Sequence, residues 1–312
     1  MNAPEIDFRP ANLSEAKPLI GLYAESGCGK TWSALLLARG FVGSTGRIGM
    51  IETEGGRGEA FMGRPPVGNY LVRPIRQNFS PEEYGRAITT AEKANLDALI
   101  IDSASHEWEG AGGVLAMAAE NQANGLKGVL VWQQPKISHQ RHFMLRLMQT
   151  TIPLVIVCMR AKYPMEQVKG QWQRSATLEP KQADDILFEM FIHGWIDADH
   201  KFHGTKYTVP ELEPVIKDGQ PISIESGRAL KAWTKSSAGD AGKAAPVASP
   251  EAETGAASAF TDERWGMAQA AAMRGRDALV AFARECSPAE RKELAAHKAE
   301  LEQLYPKEGH EA

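Results

Sequence analysis

Five short apolar runs punctuate the first half of the chain, at residues 18–24, 47–53, 69–75, 97–102 and 152–159, and they are nearly continuous rather than alternating. A strand covered on both faces has no polar side, so such runs predict inner strands of a parallel sheet. Between them, apolar positions recur at helical spacing over 30–41, 80–95 and 139–149. The second of these helices has a clear start signal. Ser80 supplies a capping hydroxyl, Pro81 fits the first turn, and Glu82 and Glu83 sit where the helix dipole favours negative charge. Strand and helix in alternation predict an α/β domain with a mostly parallel twisted sheet. Residues 186–235 are expected to add antiparallel strands at one edge. No internal repeat is visible.

The pattern stops at residue 236. Residues 236–258 are rich in Ala, Ser, Gly and Pro, and Val247 is their one large apolar residue. Such a stretch cannot bury enough surface to offset its ordering entropy, which predicts a flexible linker over 236–259. It divides a main domain, 1–235, from a C-terminal helical hairpin, 260–312. The first hairpin helix is expected from Thr261 and Glu263, and the second from the Ser287-Pro288 cap.

Composition narrows the class. The 312 residues include 35 Lys or Arg and 39 Asp or Glu. Residues 1–235 hold 26 of each, so the whole net charge of −4 comes from the tail. A general basic footprint for nucleic acid is therefore lacking, and any such contact must come from a local patch. No run approaches the roughly 18 apolar residues of a membrane span, and the first residues lack the pattern of a signal peptide. Cys28, Cys158 and Cys286 are an odd, widely spaced trio, unlike a disulfide framework. These features predict a cytoplasmic protein without membrane partners.

The strongest chemical signal is AESGCGKT, residues 24–31, directly after the first predicted strand and opening the first predicted helix. That context is the one a P-loop requires. Gly27 and Gly29 allow the backbone to curl, so that amides from Ser26 to Lys30, Cys28 included, point at phosphate oxygens. Lys30 is expected to reach the β- and γ-phosphates, and the Thr31 hydroxyl to ligate Mg²⁺. Ala24 stands where the stricter pattern has Gly. Asp102 ends the fourth apolar run, where a carboxylate completes the metal shell, and Ser103 beside it is a candidate for holding a metal-bound water. Glu52 and Glu54 end the second run. Alternation puts them on one face, and Glu54 is the preferred general base.

Taken in order, GLYAESGCGKT, IETEGG and LIIDS resemble the RecA-like ATPase core. HEWEGAGGVL and VCMRAKYPMEQ extend the likeness to phage-encoded, single-domain RecA-like P-loop ATPases of recombination and replication, over roughly residues 17–210. The resemblance implies MgATP held by Lys30 and Thr31, water activated by Glu54, and a metal site completed by Asp102. It also implies a γ-phosphate sensor on a later strand. No Gln stands there, and Arg160 or Lys162 is the candidate. The core implies a homo-oligomer, and a phage origin would put it in the bacterial host cytoplasm.

Residues 161–176 combine Lys162, Lys169 and Arg174 with Tyr163 and Trp172. Cations interleaved with stacking aromatics suit single-stranded DNA, and Pro164 and Gly170 predict a mobile loop. Lys136, His139, Arg141 and Arg146 form a second basic stretch, read as an exposed helix face. Asp197, Asp199, His200 and His203 are read as a strand-edge turn rather than a metal site. The seven Trp are assigned mostly to core or interface. Two alternatives stay open: a P-loop kinase of a small molecule, and a nucleotide-gated adaptor whose C-terminal hairpin docks a helicase or annealing protein. In the main reading too the hairpin is a candidate contact for a recombination or replication protein.

Overall fold

The computed structural model describes residues 12–168, 170–175, 178–236, 262–287, 294 and 301. The chain separates into two compact units, Met1–Ala244 and Ala245–Ala312. The first is an α/β unit built on a mostly parallel sheet. Its main sheet contains β1 (Leu19–Ala24), β2 (Ile48–Glu52), β3 (Leu71–Pro74), β4 (Ala98–Asp102), β5 (Val155–Lys162), β9 (Ile192–Ile196) and β10 (Phe202–Tyr207). They lie in the order β10-β9-β1-β5-β4-β2-β3. Every neighbouring pair is parallel except β10 with β9.

The apolar runs are inner strands because both of their faces are covered. On one face, even-numbered side chains such as Ile20, Leu22, Ile100 and Ile156 pack with helix α1 (Lys30–Val42) and a later helix, α8 (Ile224–Ser236). On the other, odd-numbered ones such as Leu99, Ile101 and Val157 pack with helix α2 (Pro81–Lys93) and Phe143, Met144 and Leu147. The α2 cap forms as its sequence predicts, with the Ser80 hydroxyl accepting from the Glu83 amide at 3.3 Å.

Several expectations need correction. The edge expected to be antiparallel contains β9 parallel to β1 and ends in α8, so β10 is its one antiparallel strand. The helix expected at 139–149 is the end of a longer run. Helix α5 (Leu130–Ser138) passes through Pro135 into a π-helical stretch, His139–Met144, and then α6 (Leu145–Gln149). Pro135 reads as a breaker, and a π-turn takes up a residue without ending the helix. Helices α3 (Ser105–Glu109) and α4 (Val114–Ala123) have no counterpart in the sequence reading. Short flanking glycines, Gly110, Gly112 and Gly113, hide them.

The supposed mobile loop at 161–176 contains a β-hairpin, β6 (Met165–Val168) with β7 (Gln171–Arg174). Gly170 supplies the left-handed residue of its turn, at φ 81°. The chain then returns as β8 (Glu179–Pro180), paired with Ala161 and Lys162 of β5, and enters α7 (Asp185–Phe188).

In the second unit, Gly275 divides the expected first helix into α9 (Asp262–Met273) and α10 (Arg276–Glu285). Ala268, Ala272, Cys286, Leu294 and Leu301 form its core. The linker apart from Ser236, and the start of the helix expected after Ser287, lie outside the described residues. Trp32, Trp195 and Trp233 are half-buried against the two faces of the core, as the assignment to core or interface expects, whereas Trp132 and Trp172 are exposed. No helix among the described residues is long and apolar enough to cross a membrane.

Candidate nucleotide site

The carboxyl edge of the sheet assembles the site through strand register and parity. Ala24 pairs with Arg160, Cys158 with Asp102, and Asp102 with Glu52. Side chains alternate along a strand, so Asp102, Glu52 and Arg160 share the face of Ile100, Met50 and Cys158, which is the α1 face. Thr31 sits in the first turn of α1, so its hydroxyl meets Asp102. It donates to Asp102 Oδ2 at 2.5 Å. Burial pushes the Asp102 carboxyl up to about 6, opposed by the Thr31 hydroxyl and reinforced by nearby Glu54.

The phosphate loop has the backbone its glycines predict. Gly27 and Gly29 have φ of 90° and 92°, values that a side chain would strain. Nothing lies within 4 Å of where a Gly27 side chain would begin, so the left-handed backbone rather than crowding is what calls for glycine there. Ser26 is exposed and Cys28 half-buried. The Lys30 ammonium folds back on its own loop, donating to the Ala24 and Glu25 carbonyls at 3.1 Å each. Loop amides at a helix N-terminus, a long flexible lysine and a pair of hard oxygen donors are groups that fit a phosphate tail with a divalent cation. Thr31 and Asp102 are the residues that would hold the cation.

Glu52 and Glu54 part company at the strand end, against the expectation of a shared face. Glu52 is buried and consumed: it accepts from the Glu54 amide at 2.7 Å and the Gly56 amide at 3.0 Å, and pairs with Arg76 at 2.5 Å. The chain then bends through Gly55 and Gly56, at φ 75° and 92°. That bend carries Glu54 to Arg160, whose Nε donates to Glu54 Oε1 at 2.9 Å. Arg57 and Glu109 extend the cluster, 3.5 Å from Glu54 and 3.8 Å from Arg160. Ser103 is buried, and its hydroxyl accepts from the Ser105 amide at 3.2 Å.

Four residues around the site carry no role in the sequence analysis. Thr53 and His106 meet at 2.7 Å beside this cluster, where burial and then the Arg160 charge lower the imidazole's proton affinity. Gln182 donates to the Ala104 carbonyl at 2.9 Å and to Glu107 at 3.2 Å. His200, in the β9–β10 turn, donates from Nδ1 to the Cys28 carbonyl at 2.9 Å. Sequence placed His200 in a turn, and a turn it is. Its left-handed φ of 63° was the missing signal, because it lets the ring lean onto the phosphate loop. Asp197 closes that turn by accepting from the Lys201 amide and from His203. No group of three or more candidate metal-binding side chains occurs among the described residues.

The candidate DNA-contacting residues are only partly free. Trp172 is 68% exposed on β7. Arg174 stacks 4.0 Å above the Tyr163 ring and pairs with Glu25 of the phosphate loop at 3.2 Å. Lys162 is exposed where β5 meets β8. Lys169 lies outside the described residues.

No protein-family model matches the chain. No curated protein matches it either. Among solved structures, 24 chains match. One is described as a prototypical ATPase from the type III secretion system of pathogenic bacteria. It is 15% identical, with a TM-score of 0.35, over 59% of this chain and 52% of that one, so the chain spans about half its length.

Proposed function

We propose that the protein binds ATP and hydrolyses it, and that it works on single-stranded DNA in recombination or replication. The observation carrying the nucleotide part is the contact of Thr31 with Asp102 at 2.5 Å, beside a bend of left-handed glycines. Loop amides and the α1 N-terminus would hold the β- and γ-phosphate oxygens. Lys30 would exchange its two loop carbonyls for a phosphate oxygen. Mg²⁺, when bound, would neutralise charge on the phosphates. Glu54, once Arg160 releases it, accepts the proton of a water attacking in line on the γ-phosphorus, and ADP leaves. Arg160 is then free to turn toward a phosphate oxygen, which suits the sensor role.

Support for the DNA part is the exposed Trp172 on a hairpin whose Arg174 is tied to Glu25 of the phosphate loop. Stacking on an aromatic platform with flanking cations is the chemistry of single-strand binding. The Arg174–Glu25 contact gives nucleotide and hairpin a shared element. A homo-oligomer, and a recombination or replication partner held by the C-terminal unit, complete the reading.

ATP turnover measured with and without single-stranded DNA tests it. Wild type is expected to be stimulated, Lys30→Ala to be inactive, and Trp172→Ala to keep basal turnover but lose stimulation. DNA-independent phosphoryl transfer to a small acceptor would replace this reading with the kinase alternative.

A further inference from the structure

Away from the phosphate loop, an open cavity of about 510 Å³ lies between α3, α5 and the turn leading into α7. Trp108 and Trp132 line it. Trp132 is 37% exposed. The Trp108 ring meets His139 edge-on, 5.6 Å between centroids. His139 is 2% exposed, and its Nδ1 is 3.0 Å from the buried Glu107 Oε1. Its Nε2 lies 3.5 Å from Asp185 Oδ1, and neither atom completes a hydrogen bond. The two atoms face each other as a long ion pair rather than a hydrogen bond, so an incoming polar group that bonds either one would recover free energy.

The lining defines the ligand. Two indoles offer flat apolar faces. Asp184 and Asp185 oppose Lys136 and an imidazole that Glu107 keeps inclined to hold its proton, so charge is roughly balanced. An anion would meet the two carboxylates, and a cation would meet Lys136 and His139. A neutral planar group with both donors and acceptors suits all of them. We propose that this cavity is a nucleobase site, in which Trp132 stacks on the base and His139 and Asp185 hydrogen-bond its edge.

The base has two conceivable sources, a single strand or a free nucleotide. The strand is favoured by position. Residues Gln182–Asp185 follow β8, which pairs with β5 at the base of the Trp172 hairpin. The cavity is also joined to the nucleotide site. Gln182 bridges Glu107 and the Ala104 carbonyl, two residues beyond Asp102.

This inference extends the single-strand reading to a second site, and the test separates the two. Full-length protein is titrated into a labelled oligothymidylate of about 16 nucleotides and into an abasic strand of equal length and charge. Thymidine monophosphate is titrated separately, by calorimetry. Trp132→Ala is expected to weaken oligothymidylate binding about tenfold, leave abasic binding unchanged, and be largely rescued by Trp132→Phe. Loss confined to the oligothymidylate assigns the base to a strand. A parallel loss of monophosphate binding assigns it to a free nucleotide, and either supports the cavity. Unchanged binding of both ligands, or equal loss for the abasic strand, overturns it. If Trp172→Ala weakens oligothymidylate binding and Trp132→Ala does not, the hairpin reading survives and the cavity fails. The reverse result keeps the cavity and removes the hairpin.

Discussion

Glu54 is held by two arginines, with Arg160 Nε at 2.9 Å and Arg57 Nη1 at 3.5 Å. A carboxylate so engaged cannot take a proton from water until Arg160 moves, so turnover should depend on both partners differently. Glu54→Gln keeps the hydrogen bond but not the basicity. It is expected to leave nucleotide affinity within about twofold and lower kcat by about 10²–10⁴, read from single-turnover hydrolysis and equilibrium binding. His200 acts at one remove, through the Cys28 carbonyl. His200→Ala releases the phosphate loop and is expected to weaken nucleotide binding about fivefold, the worth of roughly one hydrogen bond, with kcat little changed. A kcat loss of Glu54 size would instead place His200 among the reacting groups. The meeting of Thr31 with Asp102 was legible because local context, strand then bend then helix, puts both at one sheet edge. The Arg160–Glu54 pair was not, since its partners stand 106 positions apart and only the strand order brings them together.

At the scale of elements, the crossing of α1 and α8 rests on two glycines. A side chain begun at Gly40 would lie 2.0 Å from the Ile224 carbonyl, and one at Gly227 would lie 2.2 Å from the Leu37 carbonyl. The obstacle is backbone, so it cannot be swung aside. Gly227→Ala is expected to destabilise the protein by about 1–3 kcal/mol in denaturant unfolding, although Ala is intrinsically the better helix residue. On β9, burial and then the nearby Lys206 charge lower the His193 imidazole to about 4, and its Nδ1 has no hydrogen-bond partner. The unfolded chain binds this proton from about pH 6.5, the fold only near 4. Stability from this group is therefore full above pH 6.5 and lost as pH falls toward 4, by about 3 kcal/mol in all. Unfolding titrations of wild type and His193→Leu should diverge over that window. Equal slopes would show that the imidazole is solvated. Strands were legible because burial on two faces leaves an apolar run. Helix α8 was missed because its polar outer face and its Gly227 contact with α1 mean something only beside a partner.

For the whole molecule, what matters is where binding energy is felt. The core of the first unit draws on residues 19–233 and that of the second on residues 268–301. The phosphate loop, Asp102, Glu54 and Arg160 all belong to the first, so nucleotide bound there should stabilise that unit alone. A ligand that binds only the folded state adds about 2.7 kcal/mol at a hundred times its Kd, whatever the total stability. Thermal unfolding of the full chain should therefore show one transition that rises with MgATP and a second, from the C-terminal unit, that does not. Lys30→Ala should abolish the rise. A chain ending at residue 244 should keep it in full, because no residue proposed to touch phosphate or metal is removed. If the shorter chain lost the ATP-induced rise while keeping its unliganded melting temperature, the C-terminal unit would have to supply part of the nucleotide site. The phosphate loop would then be only half of the binding apparatus.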